Sequence, residues 1–452
     1  MTHGVASADF ASSSVSIDSR DVGPGSLFVA LRGTATDGHR FVDLAMANGA
    51  AGAVVSEHVD RPHVRVGDSM SALEALGHAA RARFRGLVIG VTGSVGKTGT
   101  KDALAAALAG ASKSPVHRSL RSYNNHVGVP LSLARMPRDG DYAVLEMGMN
   151  HAREIAALTS MVRPHVAIVT AIGAAHLEHF DSIEGIADAK AEVFQGLLPG
   201  GTAIVPQDTA YCDQLKSAAS RFAARTLTFG LGAGASIRGT NISFGPGGTK
   251  LTVTLPDGEL LLTVGQPGAH WVSNALAVIA GVYSAGADLD VAAQSLAELP
   301  AMEGRGKRFV LPVVGGRVVV IDESYNANPV SIAATLAVLR STEATRTVAV
   351  LGAMLELGAE SDRLHAGLAS HVLESQVGIV VLVGAPMAPL FEALRGAVEV
   401  VHVADARAAL NALKSIIQNG DVILVKGSNA IGLSSVIAGL ADSPSPGSEP
   451  RE

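Results

Sequence analysis

A chain of 452 residues that is 48% hydrophobic and 17% charged has the apolar content to build cores and the length for about three domains, which excludes general disorder. Its net charge of −6 argues against a broad, sequence-blind grip on nucleic acid, while leaving room for one local phosphate site. The single cysteine, Cys212, excludes a disulfide framework and a cysteine-built zinc site, and fits a reducing compartment.

Residues 1–16 carry no Lys or Arg and no apolar block of signal length, so no export signal is expected. The first block, 1–85, contains the apolar run SLFVAL (26–31) and ends in a basic helical stretch, RARFRG (81–86), which predicts a short α/β unit. The second block, 86–304, contains the runs LVIGVT (87–92), YAVLEM (142–147) and HVAIVT (165–170). Within it, 235–264 differs in character: GPGG (245–248) and PDG (256–258) separate alternating runs such as KLTVTL, the pattern of antiparallel hairpins. The longest charge-free stretch, 260–287, holds Gln266, Pro267, His270, Ser273 and Asn274, which makes it a poor membrane span.

After a hinge expected at EGRGKR (303–308), the third block, 305–441, contains VVVID (318–322), TVAVLG (347–352), IVVLVG (379–384) and DVILVKG (421–427). Most of these runs precede an Ala-rich stretch of helical length, and unalternating apolar runs that alternate with helices predict parallel sheets covered on both faces. The expected fold class is therefore α/β. The tail, 442–452, is polar and Pro-rich and is expected to be disordered. A soluble cytoplasmic protein is expected, with no membrane insertion and no nucleic-acid partner.

The sharpest local signal is VIGVTGSVGKTGTKDALAAAL (88–108). A buried strand runs through Thr92 into Gly93, Ser94, Val95, Gly96, Lys97 and Thr98, and then a helix begins. Such a loop turns its backbone N–H groups inward around an anionic phosphate chain, and the helix N-terminus adds favourable partial charge. Lys97 would reach the β/γ-phosphates of ATP and Thr98 would hold Mg²⁺. The spacing departs from the usual P-loop, whose first Gly would fall at Val91; Gly90 is one residue early.

The strand YAVLE ends in Glu146, at the carboxyl edge where open α/β sheets place ligands. AIGAAHLEHF (171–180) supplies His176, and IADAKAEVF (186–194) supplies Lys190. Each has a plainer reading: Glu146 as a helix cap, His176 as a satisfied core imidazole, Lys190 as a solvated helix residue. Three further clusters are polar: SYNNHVGVP (122–130) with Asn124 and Asn125, GAHWVSNALAV (268–278) with His270 and Asn274 one helical turn apart, and DESYNANP (322–329). These amides either build turns or hydrogen-bond a base or sugar.

Taken in order, these segments resemble the Mur ligase family from Ile17 to about Leu433. The pieces that carry the resemblance include IDSRDVGPGSLFVALRG (17–33), DGHRF (37–41), TGSVGKT, YNNHVGVPLSL (123–133) and EMGMNH (146–151). They continue through GRGKR, IDESYNANPVS, VLGAMLELG (350–358) and GDVILVKGSNAIGL (420–433). YNANP and MLELG resemble the branch that joins D-alanyl-D-alanine to UDP-N-acetylmuramoyl-tripeptide through an acyl phosphate. The alternatives are another ligase of this chemistry, such as one adding the third peptide residue or folylpolyglutamate synthase, and a regulatory P-loop ATP-binding module.

The resemblance implies three domains: one for the UDP end of the substrate, a P-loop ATPase, and a Rossmann-like domain that closes the site and receives the amino component. It also implies a monomer and two Mg²⁺ sites, with Thr98, Glu146 and His176 as ligands and Lys190 as a carbamylated lysine. Asn274, Arg305, Asp322 and Asn326 are implied near ATP, with Tyr325 and Asn328 in the adjoining loop. Ser19, Arg20, Asp37, Gly38 and His39 fall at the uridine nucleotide end, and Lys426 and Ser428 near the incoming dipeptide. His365 is a candidate base for its amine. Five positions depart from the usual pattern: Gly99 for Thr, Arg153 for Gly, Trp271 for Asn, Ala353 for an acidic residue, and Asn429 for Arg.

Overall fold

The computed structural model describes residues 3–442 except 35, 121, 246, 247, 267 and 302. Residues 443–452, most of the tail expected to be disordered, lie outside the described residues. Three sheets follow one another along the chain. The first has five strands in the order Val5–Ala6, His63–Arg65, Ala50–Val55, Ser26–Val29 and Ser14–Ser16, parallel except for the outer pair that includes Val5–Ala6.

The second sheet has nine strands. Six parallel strands run in the order Arg225–Gly230, Thr202–Pro206, Val166–Val169, Leu87–Thr92, Tyr142–Glu146 and His117–Arg118. Ile237–Gly245 joins them parallel to Arg225–Gly230, and Gly248–Leu255 and Gly258–Val264 then add in antiparallel fashion. The hairpins expected over 235–264 thus extend the main sheet. The third sheet orders Lys307–Val313, Gly316–Glu323, Asp421–Lys426, Arg346–Gly352, Ile379–Val383 and Glu399–Val403, with only the first pair antiparallel.

The unalternating runs are buried because each strand feeds a core on both faces. Ile89 and Val91 enter one core with Leu104, Leu108 and Ile279, while Val88 enters the opposite one with Leu133, Leu145 and Phe194. In the third sheet Val348 and Val350 face one core, and Ala349 and Leu351 face the other.

The basic helix of the first block is Ser69–Arg83, and it stops short of residue 86 because Phe84 turns extended and buries its ring in the central core. Arg81 is buried and not solvated. Its Nε donates to Val162 O at 2.7 Å, and its guanidinium reaches Arg163 O, also at 2.7 Å. These are the free carbonyls at the C-terminus of helix Glu154–Val162, where a cation is favoured. Burial brings the Arg81 pKa down to about 10. Among the described residues, no helix is long and apolar enough to cross a membrane.

Candidate active site

The strand Leu87–Thr92 delivers the chain into a loop clamped from the side. Ser94 Oγ donates to Gly173 O at 3.0 Å, and Thr170 Oγ1 donates to Val95 O at 2.6 Å. A Cβ on Gly93 would lie 2.0 Å from that same Thr170 hydroxyl, so only glycine permits the clamp. Gly96 turns at φ +87°, and a Cβ there would meet Asn274 Oδ1 at 2.4 Å. Helix Lys97–Ala109 starts at this turn. Lys97 folds back so that Nζ donates to Gly93 O at 2.6 Å. Removal from water holds its amine below the ordinary lysine range; Glu146 opposes that shift and Arg305 adds to it.

Glu146, at the end of the adjacent strand, has a 1% exposed side chain. Thr98 Oγ1 donates to its Oε2 at 2.8 Å and Asn124 Nδ2 to its Oε1 at 2.7 Å. Its backbone N–H donates to Ser119 Oγ at 3.2 Å. Behind it sits Lys101, one helical turn after Lys97, whose Nζ donates to Ser119 O at 2.9 Å and lies 3.9 Å from Glu146 Oε2. Sequence reasoning missed Lys101. The available signal was a lysine four residues after Lys97, on a helix face otherwise lined by alanine and leucine.

The third domain closes over this edge. Arg305 stacks 4.2 Å above the Tyr325 ring and donates to Thr98 Oγ1 at 3.2 Å. The Tyr325 hydroxyl donates to Ser122 Oγ at 2.6 Å. Lys426 Nζ donates to Asn326 O at 2.9 Å and lies 3.6 Å from Glu323 Oε2. Burial pushes the Glu323 carboxyl up and the Lys426 amine down, each shift opposed by the other's charge. Between the domains lies a cavity of about 340 Å³. Its floor is the 94–98 loop with Asn124, Glu146, His176 and Asn274, and its roof includes Arg305, Tyr325, Asn326, Asn328 and Lys426. Asn328 also caps helix Pro329–Ser341, its Oδ1 accepting from Ser331 N at 2.9 Å.

Other expected residues sit elsewhere. Thr92 is buried beneath the loop. Asp322 does not line the cavity: its Oδ2 accepts from Gly304 N at 2.7 Å and its Oδ1 from Ser324 Oγ at 2.7 Å, so it pins the 303–306 hinge. Asn125 braces the turn before helix Gly128–Ala134, accepting from Gly128 N at 2.9 Å. Ser428 Oγ accepts from Leu355 N at 3.0 Å. Lys190 is 1% exposed; burial and the charge of Lys97 hold its amine well below the ordinary range, against the opposing charge of Glu192.

His365 cannot serve as the base. It is 0% exposed, its Nδ1 donates to Ser361 O at 2.8 Å, and its Nε2 accepts from Met354 N at 3.0 Å, so both ring nitrogens are committed. His39, in the first domain, is likewise a strut between Asp37 Oδ1 at 2.6 Å and Ser56 N at 2.9 Å. Gly38 packs where a Cβ would meet Leu31 O at 2.6 Å. Ser19 is buried and Arg20 is exposed, paired with Asp18 at 2.6 Å. The side chain of His270 lies outside the described residues.

Three family models match in succession: "Mur ligase family, catalytic domain" over residues 12–84, "Mur ligase middle domain" over 91–282, and "Mur ligase, glutamate ligase domain" over 307–429. The chain belongs to the Mur ligase family. Among Mur ligases it is 36% identical to the UDP-N-acetylmuramoyl-tripeptide–D-alanyl-D-alanine ligase of Escherichia coli K12, covering 96% of this chain and 95% of that one. It resembles the crystal structure of MurF from Acinetobacter baumannii with a TM-score of 0.83 and 31% identity, over 95% of this chain and 93% of that one. It also resembles MurF from Thermotoga maritima in complex with ADP, with a TM-score of 0.79 and 26% identity, over 95% of this chain and 97% of that one.

The structure accounts for some departures from the Mur ligase pattern. Arg153 adopts φ 70°, a left-handed conformation that explains a glycine preference, and its N–H donates to Glu192 Oε1 at 2.6 Å. Gly99 lies beside Trp271: a Cβ on Gly99 would be 3.5 Å from the indole, an ordinary van der Waals contact. Ala353 is fully buried, where an acidic side chain would need a partner. Nothing in the structure explains Asn429.

Proposed function

We propose that the chain joins D-alanyl-D-alanine to UDP-N-acetylmuramoyl-tripeptide at the expense of ATP. The observation that carries this is the cavity between the second and third domains, where Lys97, Thr98, Glu146 and Arg305 meet the Tyr325–Asn328 loop. Support also comes from the relatives, which match over nearly the whole chain. The division at 85/86 and 304/305 into a UDP-substrate domain, a P-loop ATPase domain and a Rossmann-like domain belongs to the same proposal.

A carboxylate is a poor electrophile, so amide formation requires its conversion to an acyl phosphate. The tripeptide carboxylate attacks the γ-phosphorus of ATP, and the P–O bond to ADP breaks. The amine of the dipeptide then attacks the acyl carbon, and phosphate leaves. Two anions must meet for the first step. Lys97, released from Gly93 O, and Arg305 supply positive charge where it is needed, and the backbone N–H groups of 94–98 cradle the phosphates.

Thr98 and Glu146 present hard oxygen donors side by side at a buried edge, which fits Mg²⁺. Mg²⁺ bound there would neutralise charge on the transferring group. His176 and a carbamylated Lys190 would serve a second ion, and the buried, depressed amine of Lys190 fits the neutral nucleophile that CO₂ requires. Tyr325, bonded to Ser122 across the interface, holds the roof closed against water. Lys426 and the Ser428 turn would meet the incoming dipeptide. Ser19, Arg20 and the Asp37–His39 turn would receive the uridine end.

The deciding test is phosphate release from ATP with Mg²⁺, offering UDP-N-acetylmuramoyl-tripeptide with and without D-alanyl-D-alanine. Release that requires both substrates, with pentapeptide detected by mass spectrometry, is expected. Release indifferent to both would reduce the chain to an ATPase module, and dependence on another amino component would keep the mechanism and change the substrate.

A further inference from the structure

The loop 354–358 of the third domain reaches the second domain through a charged side chain and a backbone carbonyl. Glu356 Oε2 accepts from His176 Nδ1 across the interface. Both residues stand in left-handed backbone, Glu356 at φ 62° and His176 at φ 60°. Side chains other than glycine hold such conformations only where their surroundings over-determine them. Three consecutive residues of the loop are each fixed by a different element. Met354 N donates to His365 Nε2 at 3.0 Å, Leu355 N donates to Ser428 Oγ at 3.0 Å, and Glu356 O accepts from Glu178 N at 3.2 Å. Gly358, at φ +56°, comes so close that a Cβ would sit 3.0 Å from Glu178 Cα.

A carboxylate only accepts, so Nδ1 of His176 carries the proton and Nε2 keeps the lone pair. His176 borders the cavity. A carboxylate on the far nitrogen fixes the ring's tautomer and orientation and raises its basicity as a ligand. We propose that Glu356 is a positioning residue which sets His176 as a metal ligand only when the third domain is seated, so that closure and the second cation site are coupled. His365 and Ser428 then act one step further back, by presenting Glu356. This inference rests on the ligase reading above for the role of His176.

The test is Mn²⁺ binding to the full-length protein with ADP present, followed by electron paramagnetic resonance, for wild type, Glu356→Ala and Glu356→Gln. Glu356 is 45% exposed, so both variants should fold, and circular dichroism checks that they do. Wild type should bind two Mn²⁺ ions per chain. Glu356→Ala should weaken the second by about 10–100-fold and leave the first unchanged. Glu356→Gln, whose amide oxygen can still accept from Nδ1, should recover most of the loss; a purely structural role would not give that recovery. A folded Glu356→Ala variant with wild-type affinity at both sites would overturn the inference alone. One Mn²⁺ or none in wild type would overturn it together with the two-cation reading of the site.

Discussion

Lys101 Nζ and Glu146 Oε2 lie 3.9 Å apart, each on a side chain 1% exposed to solvent. Lys101 also fixes Ser119 O, and Ser119 Oγ accepts from the Glu146 amide, so one ammonium holds both the carboxylate and the strand-end loop beside it. Burial pulls the Lys101 amine below its ordinary range, against the charges of Asp102 and Glu146. Lys101→Met should cost about 3 kcal/mol of stability, the scale of a buried pair that loses one partner. Mg²⁺ should restore more stability to this variant than to wild type, because a cation bound at Glu146 replaces the missing charge. Differential scanning calorimetry with and without Mg²⁺ checks both expectations, and an unchanged transition would remove Lys101 from the site.

Trp271 is the only tryptophan in the chain and borders the cavity beside Gly99. Its emission should therefore report on nucleotide. Titration with ADP and Mg²⁺ should shift or quench the fluorescence with the same midpoint as calorimetric binding. Trp271→Phe should remove the signal and change the ADP affinity by less than about tenfold, since a ring of similar shape still fills the space. Calorimetric saturation with no change in emission would place the nucleotide away from the indole.

Lys190 should need CO₂. Its depressed pKa enlarges the neutral amine fraction near neutral pH, and only that fraction forms a carbamate, releasing a proton. Turnover should drop several-fold in bicarbonate-depleted buffer and return when bicarbonate is restored. Lys190→Ala should lose about 10²–10³-fold, the scale of one electrostatic stabiliser, and formate or acetate should recover part of it. A folded variant that short carboxylates fail to rescue, together with indifference to bicarbonate in wild type, would leave Lys190 as an uncharged core residue.

The sheets were legible because burial on both faces removes the polar alternation from strands such as Leu87–Thr92 and Ile379–Val383, and that loss is visible in sequence. The P-loop was legible because Gly93 and Gly96 occupy positions that a Cβ would block. What did not show is what long-range packing decides. Asp322 looks like a ligand residue after a strand, yet its carboxylate is consumed by Gly304 and Ser324 at the hinge. Lys101 gains its role only when Ser119 packs against it. Glu356 gains its meaning only from His176, 180 residues away.

His365 looks like a base by residue type and is a strut by geometry, and pH separates the two roles. Burial lowers its folded-state pKa beneath the unfolded value of about 6.5, opposed by the bond to Ser361 O and the charge of Asp362. Below that value the unfolded chain takes up a proton that the folded chain refuses, so stability falls as pH drops from about 6.5 toward the depressed folded pKa; above 6.5 this group contributes no slope. His365→Gln should lower stability at neutral pH by about 1–3 kcal/mol, through loss of the Nδ1–H bond to Ser361 O, and should flatten this part of the acid limb in urea titrations. The kcat-versus-pH curve should keep the shape of wild type, at reduced height, because the loop that presents Glu356 is loosened. Disappearance of one limb of that curve in His365→Gln would return the imidazole to the chemistry.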